Sequence, residues 1–582
     1  MKKIFLLLAL LCTSLTLSAD PIGEARARQI AEEFFSQYST RSAGGAISLT
    51  WAGNTITEPI SSGAELDNAL MYIYKRGENN GFIVVAGDSN VSPIIAYSLD
   101  STIDTNNLAE ATRDILDAWC KQINAARKEE IPLSTPRSAT RSGDELLYET
   151  ALWNQGEPYN REAPVWEGNR SVTGCAATAA AIICHFNRWP DCGVGTTPEY
   201  SYYDSYGEIR TVPENHLGRY YDYDNMLLDY NNGYTEEQGN AVAALMKDMG
   251  TAIYMSYHYT ESGASAFNNV QAFGKYFKYS KEAKLLCLDN YGIETWNNMM
   301  RENLRKCGPT YYSGGGDAGG HAFVIDGYSY NDYFHINYGW GGYGNAWYLL
   351  PHIDFYARQA AVMNLVPDRD NSTKYKDNIM LTEYYSDTSS WYGIFSDAKS
   401  YEAGNTFTVS VGALNNVGGR AFYGTISLFH CNIEGEFKEQ LYSWDIEGFN
   451  IGSLCGLTTG EAISINSTIE VGDSIRAYFK SYDSDEWVWI RSWGGFALEQ
   501  IIICATPEQV SKSLRFHYDK EQQVIYLEAP LALQTELYKP DGSTETQDID
   551  SHIAIQYTLD QKGEYLLTVR SGGEPYVLKL KL

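Results

Sequence analysis

The sequence predicts a large α+β centre, preceded by a smaller α+β block and followed by two β-sandwich domains. Three observations predict it. Apolar residues recur at helical spacing in two stretches near the N-terminus with strand-like runs between them; a small-residue helix and several Gly-rich strands alternate in the middle; and beyond Asp368 helical periodicity gives way to short alternating segments between Gly, Asp and Asn turns. At 582 residues the chain exceeds what one core normally supports. The divisions read from it are 1–19, 20–141, 142–367, 368–505 and 506–582.

The first stretch, Met1 to Ala19, has two lysines, an apolar run from Ile4 to Leu17 and small residues at its end, the pattern of a secretory signal cleaved near Ala19. A lipid-modified Cys12 is disfavoured by the bulky Leu11 before it. No later run reaches the ~18 apolar residues a membrane helix needs. The expectation is therefore a secreted or cell-surface protein with no membrane span. Forty-four basic against 73 acidic residues leave a net charge of −29, and such a field repels phosphate backbones, so nucleic acid is excluded as a partner.

In the block 20–141, Ile22 to Tyr38 and Leu108 to Lys128 read as amphipathic helices. Leu70 to Tyr74 and Phe82 to Ala86 read as strands, with Gly81 to Asp88 and Ile94 to Tyr97 forming a hairpin. This pattern is sufficient for an independent core. Pro132 to Gly143, with Pro136, Arg137 and Arg141, has the composition of an exposed, cleavable linker.

The chemistry lies in 142–367. Gly174-Cys175-Ala176-Ala177-Thr178-Ala179 places a cysteine at the start of a helix-forming run, where unpaired N–H groups and the helix dipole favour a thiolate. His321 follows the glycine loop Gly314 to Gly320 and heads the apolar strand Ala322-Phe323-Val324-Ile325-Asp326-Gly327; Gly319 and Gly320 leave room for substrate beside it. It stands 146 residues after Cys175, within the ~130 to 150 that separate nucleophile and base in papain-like proteases. Acyl transfer further needs an oxyanion donor and a group that orients the imidazole. Gln155, in Trp153-Asn154-Gln155-Gly156, is the candidate donor together with the Cys175 backbone N–H. Asn337, in His335-Ile336-Asn337-Tyr338-Gly339-Trp340, is the candidate orienter, with Trp340 shielding its hydrogen bond.

These four ordered motifs resemble those of the streptopain family, and Gly81 to Asp88 with Tyr97 is similar to that family's prosegment. The family more often has Trp where this chain has Tyr338. The resemblance implies a papain-like fold, a secreted cysteine endopeptidase made as a zymogen, peptide or protein substrates, and residues 20–141 as its own inhibitor. It also implies a preference for an apolar residue two positions before the cut, for which Ser262, Gly263 and Ala264, in the small-residue loop Ser262 to Ala266, are the candidate lining. A cysteine acyltransferase or amidase would use the same Cys–His–Asn set, and a degenerate adhesin would keep only the fold.

No cofactor and no metal are expected. Cys184, His185 and Cys192 do not match zinc-ligand spacings, and the Gly-rich runs lack the Lys and Ser/Thr of a phosphate loop. His335 is read as structural, with no acid partner in view. Trp487, Trp489 and Trp493 are read as sheet packing rather than an adhesive face.

Overall fold

The computed structural model describes residues 21–581 except 38–45, 57, 61, 64, 78–80, 90, 100, 102, 106–107, 109, 128–144, 317–318, 330–331, 354, 387–388, 399–400, 494–498, 520–521, 530–532, 550–554 and 571–574. The expected signal segment and the cleavable linker, Pro132 to Gly143, thus lie outside the described residues. The α+β class holds. The chain falls into two compact units, neither contiguous in sequence: residues 1–154, 228–233 and 315–356 make one, and 155–227, 234–314 and 357–582 the other. The block 142–367 is divided between them.

In the first unit, helices Glu24–Gln37 and Glu110–Arg127 accompany the antiparallel strands Ile47–Gly53, Met71–Arg76, Phe82–Ala86 and Ile94–Ser98. The helices begin and end within two residues of where periodicity places them. Asp88, fully buried, is paired with Arg127 at 3.0 Å, and the same guanidinium donates to the carbonyls of Asn68 and Gly87. The last helical residue before 128–144 is thereby tied to the hairpin.

The sequence suggests that this block has a core of its own, and here the structure differs. Ile94–Ser98 continues into the strands of the central block: Trp347 pairs with Tyr97 and Tyr348 with Ala96, and the strands Ala346–Tyr348, Phe334–Asn337 and Gly319–Tyr328 follow in order. Tyr333, Trp347 and Leu349 are buried in one cluster with Ala27, Phe34, Tyr72 and Tyr97. Tyr97 sits flat against Trp347 at 5.9 Å and edge-on to Tyr333 at 5.2 Å. The physical reason is that an edge strand left bare offers unpaired N–H and C=O groups, which a neighbouring strand can satisfy. The N-terminal block and the strands after residue 319 share one sheet and one core.

In the second unit, helices Cys175–Asn187, Glu236–Ala252 and Ala266–Tyr276 pack on one another. The second starts at a capping box formed by Thr235 and Gln238. Strand Lys284–Cys287 pairs with Ala357–Met363. Past residue 368 come two β regions, each with its own core. The first gathers Val409, Val411, Leu414, Phe422, Ile426 and Ile475; the second gathers Ile525, Leu527, Leu537, Tyr557 and Leu567.

Thr406 to Val411, which reads as one strand, is broken at Thr408. Thr406–Phe407 pairs with Ile463–Ser464, whereas Val409 onward joins a different sheet, and the Asp397 carboxylate takes up the Thr408 N–H at 2.7 Å. The tryptophans pack: Trp489 lies under Arg476 and Arg491, Trp487 against Phe429, and Trp493 against Phe267. Among the described residues no helix is long and apolar enough to cross a membrane.

Candidate active site

Cys175 is the first residue of its helix, and Gly174 is the N-cap, with φ of 85°. Only glycine fits there. The positive φ is strained for other residues, and a Cβ would stand 2.6 Å from the Met255 side chain and 2.8 Å from the Ser262 carbonyl. The following residues, Ala176 to Cys184, are all buried, so apolar packing fixes the helix and its N-terminus presents the half-buried Cys175.

The approach to Cys175 is strapped in place. The Val172 N–H donates to the His258 carbonyl at 3.0 Å, and the Ser262 hydroxyl lies 2.8 Å from the Val172 carbonyl while accepting the His258 N–H at 2.8 Å. The Thr173 N–H donates to the Gln155 carbonyl at 3.0 Å, so Gln155 is tied two residues ahead of Cys175. Burial, and to a lesser extent the charge of a Cys175 thiolate, push the phenol of the fully buried Tyr311 up.

Ser262 therefore differs from its expected place in a pocket lining, since it is buried and its hydroxyl is spent on backbone groups. Gly263 is exposed with open space where a Cβ would go, and Ala264 is half-buried. Gly319 and Gly320 are exposed at the start of the strand carrying His321.

His321 is buried among aromatic rings: Trp340 at 4.7 Å, Phe355 at 4.9 Å, Tyr338 at 6.0 Å and Phe323 at 6.1 Å. Burial pushes its pKa down to about 4, opposed by a hydrogen bond to the Tyr338 carbonyl. That bond joins Nε2 to the carbonyl oxygen at 2.9 Å. A carbonyl only accepts, so Nε2 carries the proton and the Nδ1 lone pair is the one left to take a proton. At neutral pH the imidazole is a neutral base.

Asn337 does not touch the imidazole in this way. Its amide nitrogen donates to the Thr150 hydroxyl and the Ala151 carbonyl, each at 2.9 Å, and its oxygen accepts the Gly339 N–H at 3.1 Å. The group that bonds His321 is a backbone carbonyl one residue further on, which side-chain motifs cannot announce. Trp340 lies 4.7 Å from the imidazole and is stacked on Tyr338 at 4.7 Å, but the Asn337–His321 hydrogen bond it is expected to shield is not formed. The motif Trp153-Asn154-Gln155 is legible in the same terms: Trp153 is fully buried and its carbonyl accepts the Gly341 N–H, holding the glycine turn after Trp340.

His335 has an acid partner after all. Its Nδ1 lies 2.6 Å from Asp326 Oδ1. The signal was available in the sequence, since a lone carboxylate inside Ala322-Phe323-Val324-Ile325-Asp326 must find a partner.

All nine described cysteines remain thiols. Burial pushes Cys120 and Cys184 up to about 12 and Cys455 to about 11. Among the described residues no cluster of His, Cys, Asp and Glu is arranged to hold a metal ion.

Cys175 thus heads a helix in one unit, and the His321 imidazole lies on a strand of the other. Residues 153–348 match the Peptidase C10 family and residues 19–123 match the Spi protease inhibitor family, so the chain carries a Peptidase C10 domain with an inhibitor-type domain ahead of it. It is 29% identical over 365 residues to the thiol protease/hemagglutinin PrtT of Porphyromonas gingivalis, an alignment covering 60% of this chain and 41% of that protein. It is 28% identical over 314 residues to streptopain of Streptococcus pyogenes, covering 50% of this chain and 77% of streptopain. Among solved structures it resembles a prointerpain A fragment of Prevotella intermedia, at 26% identity over 55% of this chain and 99% of that one, with a TM-score of 0.45. It also resembles active interpain A of the same organism, at 32% identity over 38% and 95%, with a TM-score of 0.35.

Proposed function

We propose that the chain is an exported cysteine endopeptidase made as a latent precursor, with residues 20–141 as the inhibitory prodomain, 142–367 as the catalytic domain, and 368–505 and 506–582 as appended β domains. Cys175 is the nucleophile and His321 the base. Nδ1 of His321 takes the thiol proton, the sulfur attacks the scissile carbonyl, and the oxyanion is met by the Cys175 N–H and Gln155. Collapse expels the amine, which receives the proton from His321, and water then hydrolyses the thioester. Since burial holds the imidazole neutral, a stable thiolate–imidazolium pair needs the thiolate charge to offset that burial.

The observation that carries this reading is the single tautomer of His321, with Nε2–H on a carbonyl and Nδ1 left as acceptor. An apolar residue two positions before the cut is preferred, in keeping with the small residues Gly263 and Ala264. The test is hydrolysis of casein and of a fluorogenic peptide library by chain cut within 128–144. Casein turnover with Val or Ile favoured over Arg at that position is the expected result. Acyl transfer to added amines without casein turnover would point to an acyltransferase instead, and a basic preference would contradict the specificity.

A further inference from the structure

Asp326 is 1% exposed in the middle of an apolar strand, and a buried carboxylate persists only with its oxygens satisfied. Oδ1 accepts from His335 Nδ1–H, and Oδ2 accepts the Thr150 hydroxyl. Having given its one proton to Asp326, Thr150 Oγ1 can only accept, and it accepts the Asn337 amide. The second amide proton goes to the Ala151 carbonyl. The amide can then have only one orientation, with Oδ1 turned to the Gly339 N–H.

That N–H belongs to the same planar peptide group as the Tyr338 carbonyl. The bond is trans, since the cis peptides lie elsewhere, so its N–H and C=O point in opposite directions. Gripping the N–H on one side aims the carbonyl on the other, where it meets His321 Nε2.

We infer that Asp326 and Thr150 are positioning residues for His321, acting through Asn337 on the tilt of the Tyr338–Gly339 peptide. The inference rests on His321 being the base. Asn337 keeps an orienting role, exerted on a peptide plane rather than on the ring. A loosened plane lets the carbonyl drift from Nε2, and the imidazole loses both its angle and the acceptor that stabilises its protonated form.

The test uses the full chain after cleavage within 128–144, with active enzyme counted by alkylation of Cys175. Thr150→Val, which keeps the shape and removes the hydroxyl, is expected to lower kcat per active site by about 10- to 100-fold with KM changed less than about twofold. The acid limb of its kcat/KM profile should move to lower pH, because the imidazolium has lost its acceptor. Thr150→Ser restores both, and Asp326→Asn repeats the Thr150→Val result. A purely structural role would lower the alkylatable fraction and leave the limb in place. Wild-type kcat and an unmoved limb in Thr150→Val, with His321→Ala inactive, overturn this inference alone. An active His321→Ala removes the base role on which it rests.

Discussion

Cys175→Ala is expected to bring casein and peptide hydrolysis down to background, a loss on the order of 10⁴-fold or more, with the melting temperature unchanged. The two halves of this expectation have separate causes. In the proposed mechanism the sulfur is the atom that bonds the acyl group, and no other described thiol starts a helix on a glycine cap. Cys175 is only half-buried, and alanine is the best helix former, so little packing is lost and the helix keeps its start. His321→Ala should be equally inactive but less stable, because it opens a cavity between Trp340 and Phe355. Gln155→Ala should be milder, at about 10²- to 10³-fold in turnover, since the Cys175 N–H still meets the oxyanion. Appreciable hydrolysis by folded Cys175→Ala would sink the mechanism.

Tyr97→Ala is expected to wake a precursor whose linker has been made resistant by Arg137→Ala and Arg141→Ala. Tyr97 is 1% exposed and packs on Phe34 at 4.6 Å, Tyr333 at 5.2 Å and Trp347 at 5.9 Å. It is the aromatic at which the N-terminal block and the strand Ala346–Tyr348 share their core. Removing such a ring costs about 3–5 kcal/mol. If about 2 kcal/mol of that falls on attachment rather than on the block's own core, the released fraction rises roughly 30-fold. Peptide hydrolysis by the uncut Tyr97→Ala precursor reads this directly. A folded variant as silent as its parent would show that latency does not depend on this seam.

The elements that were legible are those with a local signature: the helices Glu24–Gln37 and Glu110–Arg127, the hairpin Phe82–Ala86 to Ile94–Ser98, and the glycine-capped helix of Cys175. The pairing of Ile94–Ser98 with Ala346–Tyr348 was not legible, because nothing local marks which distant strand an edge will accept. The site divides in the same way. The roles proposed for Cys175 and His321 rest on their side chains, and such residues stand out in sequence. The acceptor at His321 is the carbonyl of residue 338, which any side chain there would supply, so Tyr338 in place of the family's more frequent Trp leaves the acceptor intact. Asp326 is hard to single out in sequence because it lies in an apolar run, although its burial is what makes it informative.

Whether one thiol carries the reaction is read by alkylating the cleaved chain with iodoacetamide at neutral pH and mapping the label by mass spectrometry. One equivalent is expected on Cys175, with activity lost in proportion. Cys120, Cys184 and Cys455, whose thiols burial pushes up to about 12, 12 and 11, should stay unlabelled over the same time. Activity that survives complete labelling of Cys175, or that falls in step with a different cysteine, would contradict it.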